Sequence, residues 1–413
     1  MKYIVIGAGV SGLSIAQLLS KHDDVTVFEA DSRPGGMVKC DRINGHLFHR
    51  TGGHVFNTKR QDVLDWFWKQ FNKDTEFTKA LRNSSINLFT KDFFLPYPIE
   101  NYIHLLDDEL QKHIISDWLQ ISKEADSNYE NFSDFLLKRF GPTLYFLYFE
   151  PYNMKVWRKS LTNVPLEWLE GKLPMPTVEE MIYNNFNHVE ERDFVHSSFY
   201  YPRKDGSQFI ANRLADGLNI RYNTKVRSIT YNGSQWIVDN QLFDKVIFCG
   251  NIKQIPSLLD GVIDLSPFVK PIEELESHGT TSVLCEIDSN PYSWIYLPSD
   301  DHESHRIICT GNFSQTNNAE SKTTATIEFT DEMSVEDIQS NLSRLPLHPK
   351  YITHHYERCT YPIQNKKTRE MIFSLENLLN PNGFYLLGRF AQWEYYNMDV
   401  CMGAAMDLIK ELN

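Results

Sequence analysis

The chain has 413 residues, 41% of them hydrophobic and 23% charged, with a formal net charge of −13. That length supports two or three domains, or one large domain with insertions, and the composition is ordinary for a globular protein. The acidic balance excludes a general nucleic-acid binder, which needs a basic surface, but leaves room for an anionic small ligand held by a local arginine cluster. The six cysteines (Cys40, Cys249, Cys285, Cys309, Cys359 and Cys401) show no CxxC and no Cys/His cluster at metal spacing, so no metal site is expected. The chain enters a strand directly instead of a secretory leader, and no apolar run approaches the ~18 residues of a membrane helix. Reduced thiols and a cytoplasmic location are therefore expected. The aromatic content is high, and a large aromatic core accounts for it as readily as a ring-stacking site.

In chain order, residues 2–6 form a buried strand and 10–21 a helix with Leu13, Ile15, Ala16, Leu18 and Leu19 apolar. A second strand at 25–28 completes a βαβ unit. A helix at about 60–72 and strands at 84–95 around a turn follow, and then helical periodicity from about 99 to 190. β character returns at 222–229, 235–238 and 245–249, and then in short runs at 282–287, 293–297, 306–310 and 324–329. A strand at 384–387 leads into a C-terminal helix at 399–412. The predicted fold class is α/β: a Rossmann-type dinucleotide domain with a helical insertion and an antiparallel β-sheet domain. The expected division is 1–95 with 195–255 and 370–413, then 96–194, then 256–369.

Gly7-Ala8-Gly9-Val10-Ser11-Gly12 is a G-x-G-x-x-G turn between strand and helix. Its glycines permit a tight turn, close approach of a pyrophosphate and helix packing, and the helix N-terminus offers N–H groups to phosphate. Glu29, 20 residues after Gly9 at the end of the second strand, is placed to accept ribose hydroxyls. The next stretch, Ala30 to Arg33, Gly35 and Gly36, resembles the E-x(3)-R-x-G-G fingerprint of the FAD family that includes amine oxidases and protoporphyrinogen oxidase. The resemblance implies FAD as resident cofactor, with Arg33 helping to neutralise the pyrophosphate. Gly388-Arg389 resembles the C-terminal Gly-Arg pair of these proteins, and the helix expected from about Asp399, with Met398 just before it, would face the flavin. Val226 sits where such proteins grip adenine through the backbone.

A narrower resemblance runs through His49-Arg50-Thr51-Gly52-Gly53-His54-Val55-Phe56, Leu95-Pro96-Tyr97-Pro98 and Pro151-Tyr152-Asn153-Met154-Lys155-Val156-Trp157. It continues through residues 168–174 and 294–298, Tyr361-Pro362 and 388–395, and spans nearly the whole chain. These segments resemble the UDP-galactopyranose mutases, especially the eukaryotic type. That family interconverts UDP-galactopyranose and UDP-galactofuranose through a covalent adduct between N5 of reduced FAD and the sugar. The resemblance implies that Arg306 and Lys172 clamp the diphosphate. Lys172 stands where the family has arginine, which suggests either a point-charge contact or a different substrate. Tyr296, Tyr361 and Tyr395 match hydrogen-bond donors to the diphosphate. Gly53 and His54 match the flavin-flanking loop, where a satisfied buried histidine is the plain alternative. Asn153, Trp157 and Tyr148 fall where the family builds its nucleotide pocket, with core packing the alternative for Tyr148. A UDP-sugar is the implied substrate, NADPH or NADH a candidate reductant, and a homodimer is suggested. The competing expectation is an FAD-dependent oxidoreductase of the amine oxidase or protoporphyrinogen oxidase type.

Overall fold

The computed structural model describes residues 1–123, 128–166, 176–189 and 197–412. The N-terminal strand Lys2–Ile6 lies at the centre of a five-stranded parallel sheet. Asp24–Phe28 and Asn219–Arg221 follow on one side of it, and Lys245–Phe248 and Phe384–Leu386 on the other. Both faces of such a sheet are covered, which explains the apolar run Tyr3, Ile4, Val5 and Ile6, all buried. The helix Val10–Leu19 packs against the C-terminal helix Met398–Leu412 on one of those faces. The first helix ends two residues before its expected boundary, with Ser20 as its C-cap.

The expected strand over 222–229 is not formed. The strand lies earlier, at Asn219–Arg221, and a short one resumes at Ile229–Tyr231. Between them the chain turns back along the end of the second strand. Asn223 adopts a positive φ of 53° and its N–H bonds the Asp31 carbonyl, while the Thr224 N–H bonds that of Glu29.

The second sheet has seven strands, in the order Lys350–Pro362, Ser277–Glu286, Thr324–Thr330, Arg306–Ile308, Trp294–Tyr296, Ser84–Asn87, Phe94–Pro96. All its neighbours are antiparallel except Trp294–Tyr296 and Ser84–Asn87. The 84–96 hairpin therefore joins this sheet, not the Rossmann unit, so the boundary expected at residue 95 falls too late. That parallel pairing carries the hairpin away from the dinucleotide fold.

The helical segment holds Asp108–Ile121, Phe132–Phe140, Glu150–Trp157 and Val178–Phe186 around Trp118, Phe132, Phe135, Phe140 and Trp157. Local chemistry sets its starts. The Asp107 carboxylate caps the first helix by accepting from the N–H groups of Glu109 and Leu110, and Thr177 and Glu180 form a capping box on the last. Among the described residues no helix is long and apolar enough to cross a membrane.

Gly12 is where the first helix touches the turn, because a Cβ there would lie 1.9 Å from the Gly7 carbonyl oxygen. Gly12→Ala is expected to lower unfolding free energy by about 3 kcal/mol in urea titrations. An unchanged midpoint would show that the turn relaxes freely.

Candidate active site

The cofactor cradle forms where three segments meet. The Gly35 N–H bonds the Ala8 carbonyl at 2.8 Å, which draws the second fingerprint against the glycine turn. A Cβ on Gly36 would lie 3.2 Å from the Gly9 Cα, and one on Gly388 would strike the Ser11 hydroxyl at 2.3 Å. Side chains are thus excluded where a pyrophosphate has to approach backbone N–H groups. Val10 and Ser11 open the first helix, and Met398 and Asp399 open the last. Glu29 is buried; its Oε2 accepts the Ala8 N–H at 2.6 Å and its Oε1 the Asp31 N–H at 2.9 Å. Each oxygen keeps a second lone pair for a ribose hydroxyl. Ala30 is exposed just beyond it, and Val226 packs beside the sheet in the loop that runs past Glu29.

Arg33, expected to help neutralise the pyrophosphate, forms an ion pair with Asp41. Arg50 pairs with the same carboxylate, so two guanidinium groups share one negative charge.

The second half of the site is a row across the seven-stranded sheet. Tyr296 faces Arg306, Arg306 faces Glu328, and Glu328 faces Ser282 on successive strands, so their side chains share one face. The Arg306 Nε donates to Glu328 Oε2 at 2.7 Å, its Nη2 donates to the same oxygen, and Nη2 also reaches the Tyr361 hydroxyl at 3.2 Å. Glu328 is 2% exposed, and the Arg306 guanidinium beside it, with His305, holds its carboxyl down at about 2 although burial opposes this. Burial in turn pushes His305 down.

Onto this face folds the Gly52-Gly53-His54 loop. A Cβ on Gly52 would lie 3.0 Å from Glu328 Oε1, and one on Gly53 would meet Ile308 at 2.6 Å. The His54 Nε2 is buried with no hydrogen-bond partner among the described residues. Burial, reinforced by Arg389, lowers His54 to about 4, so the ring is neutral at pH 7.

Tyr361 and Tyr395 stack with ring centroids 5.4 Å apart and planes 8° from parallel. Arg389 lies 4.2 Å from the Tyr395 ring centre and donates to the carbonyls of Thr360 and Tyr396, while its buried Nε is unpartnered. Arg369 holds this loop by donating to the carbonyls of Gln392 and Trp393 and to Glu394. These orphaned polar atoms, beside a cradle kept open by Gly36 and Gly388, fit a bound flavin.

The nucleotide-pocket expectations divide. Tyr148 stacks on Tyr152 at 5.6 Å, and Tyr152 packs edge-on against Tyr296 at 5.5 Å, which links Tyr148 to the row. Asn153 donates to the carbonyl of Phe149, the N-cap of its helix, and Trp157 is buried in the helical core. Lys172 lies outside the described residues. The sequence places Tyr97 and Tyr152 in the matched segments without a site role for either, and gives none to Glu328. The available signal for Glu328 was an acid within the β-branched run Thr324-Ala325-Thr326-Ile327-Glu328-Phe329.

A family model described as an NAD(P)-binding Rossmann-like domain matches residues 5–71. The chain is 25% identical over 266 residues to a UDP-galactopyranose mutase of Mycoplasma pneumoniae, covering 61% of this chain and 62% of that relative. It is 24% identical over 427 residues to a dTDP-fucopyranose mutase of Escherichia coli, covering 98% and 97%. The first two curated relatives are thus matched over only 62% and 61% of their length. A crystal structure of reduced UDP-galactopyranose mutase superposes with a TM-score of 0.86 at 20% identity, covering 100% of this chain and 93% of that one. The chain is similar to these mutases and shares the fold of the solved one, a mixed α/β architecture with an NAD(P)-binding Rossmann-like unit.

Glu328 carries a depressed pKa, so its stabilising effect is complete above the unfolded carboxylate value of about 4.3 and is lost as pH falls through about 2. Glu328→Ala is expected to cost about 3 kcal/mol or more in urea unfolding at pH 7, because it leaves Arg306 without its counter-ion. The stabilities of wild type and Glu328→Gln should converge between pH 5 and pH 2. A constant gap across that range would contradict the pairing.

Proposed function

We propose that this protein is a flavin-dependent sugar-nucleotide mutase interconverting UDP-galactopyranose and UDP-galactofuranose, or a close analogue. The observation that carries this is the cross-strand row Tyr296, Arg306 and Glu328 lying against the His54 loop, with Tyr361 within hydrogen-bond reach of Arg306. The reading is supported by relatives named as UDP-galactopyranose and dTDP-fucopyranose mutases.

Bound FAD in its reduced state would supply, at N5, the nucleophile for the anomeric carbon. The chain's own residues handle the leaving group. As the bond between that carbon and the diphosphate breaks, charge grows on the departing oxygen. Arg306 has Nε and Nη2 engaged on Glu328 and Tyr361, which leaves its Nη1 N–H pair for diphosphate oxygens. Burial raises Tyr361 and Tyr152 above the ordinary phenol value, so both stay protonated donors at neutral pH. Glu328 already balances the Arg306 charge, so attraction for a diphosphate needs further cations. Arg389, stacked on Tyr395, is one, and Lys172 is proposed as another. His54, neutral and with a free Nε2, would offer a hydrogen bond at the flavin edge without adding charge.

The test is conversion of UDP-galactofuranose by dithionite-reduced protein, followed by chromatography, with dTDP-fucofuranose in parallel. Conversion is expected only in the reduced state, and the faster nucleotide sugar identifies the substrate. Arg306→Ala should slow turnover by at least about a hundredfold while flavin content is unchanged. Retained turnover, or loss of flavin from that variant, would contradict the assignment.

A further inference from the structure

The helix Glu150–Trp157 carries Tyr152 towards the row and, three residues later, Lys155 away from solvent. The Lys155 Nζ donates to the carbonyls of Leu297, at 2.9 Å, and Ser304, at 3.0 Å, and lies 3.4 Å from the His302 Nδ1. All three partners belong to the loop that joins the Trp294–Tyr296 strand to the Arg306–Ile308 strand. One amine therefore ties the Tyr152 helix to the hairpin bearing Tyr296 at one end and Arg306 at the other. Other contacts flank it. Arg158 pairs with Glu303 at 2.7 Å, the Thr330 hydroxyl reaches the Val156 carbonyl at 3.5 Å, and Arg344 bonds the Asp301 carbonyl.

We propose that Lys155 is a positioning residue: its amine fixes the Tyr152 helix against the 297–305 loop and thereby sets the spacing of Tyr152, Tyr296 and Arg306 around the nucleotide diphosphate. The proposal rests on the functional reading above for the identity of the ligand. The choice of lysine follows from the three partners. An ammonium donates to two carbonyls and an unprotonated imidazole nitrogen at once. Burial lowers Lys155 to about 7; Asp300, Asp301 and Glu303 oppose this and Arg158 reinforces it. Burial and Lys155 also push His302 down to about 3, so its ring is neutral. A neutral amine still donates to both carbonyls and accepts from the other imidazole tautomer, so the tie holds in either charge state. A methionine fills the same space and makes none of these bonds, leaving two buried carbonyls unpaired.

The experiment uses the full-length, FAD-loaded protein. Lys155→Met is expected to weaken UDP binding at least tenfold by calorimetry, and to speed amide exchange at least tenfold in peptides covering 297–305. Flavin content and exchange over 2–28 should stay at wild-type values. Lys155→Arg should bind UDP within about threefold of wild type. If Lys155→Met does not fold, Lys155→Gln is read by the same criteria. Unchanged UDP affinity in the Met or Gln variant overturns the proposal, whatever the exchange shows. Should wild type itself fail to bind UDP, the mutase reading falls instead, and unchanged exchange over 297–305 would independently overturn the anchoring role.

Discussion

The site is organised by one buried ion pair. Glu328 is almost wholly inaccessible, and a carboxylate there is sustained chiefly by the guanidinium of Arg306 on the neighbouring strand, with His305 beside it. Cross-strand register, not loop conformation, sets that contact. A slip of one residue in the Thr324–Thr330 strand would turn Glu328 to the opposite face and leave Arg306 uncompensated. The same register places Tyr296 beyond Arg306 and Ser282 beyond Glu328. The pair therefore fixes the guanidinium orientation that the proposed chemistry requires.

Around this pair the chain assembles a site from distant segments. The Rossmann unit contributes a glycine turn and two helix N-termini, with Gly388 lying against Ser11. The seven-stranded sheet contributes the charged row. The loop from Gly52 to His54 joins them, and its glycines are required by contact with Glu328 and Ile308 as much as by any cofactor. The helical segment supplies aromatic rings in series, Tyr148 to Tyr152 to Tyr296, with Tyr97 against Tyr296 at 4.9 Å.

Much of this was legible in the sequence where local chemistry decides the outcome. The glycine turn, Glu29, the first two strands and the final helix follow from periodicity and from residue types that only such a turn requires. Less legible was whatever depends on pairing between remote strands. The Lys350–Pro362 strand, 13 residues long at the sheet edge, lacks the alternation that marks a half-buried strand, because most of its residues are only partly covered. The sheet that the 84–96 hairpin joins is not legible locally, since nothing there announces a parallel partner some two hundred residues on. The role of Glu328 lies in that same register, and Arg33 acquired a partner, Asp41, that its motif does not mention.

The most direct measurement is a crystal structure of the reduced, FAD-loaded protein with UDP. The account predicts the diphosphate within hydrogen-bond distance of the Arg306 Nη1 and the Tyr361 hydroxyl, with the flavin ring beside His54 and the Arg306–Glu328 contact intact. A nucleotide seated elsewhere, or a guanidinium swung out to solvent, would contradict it.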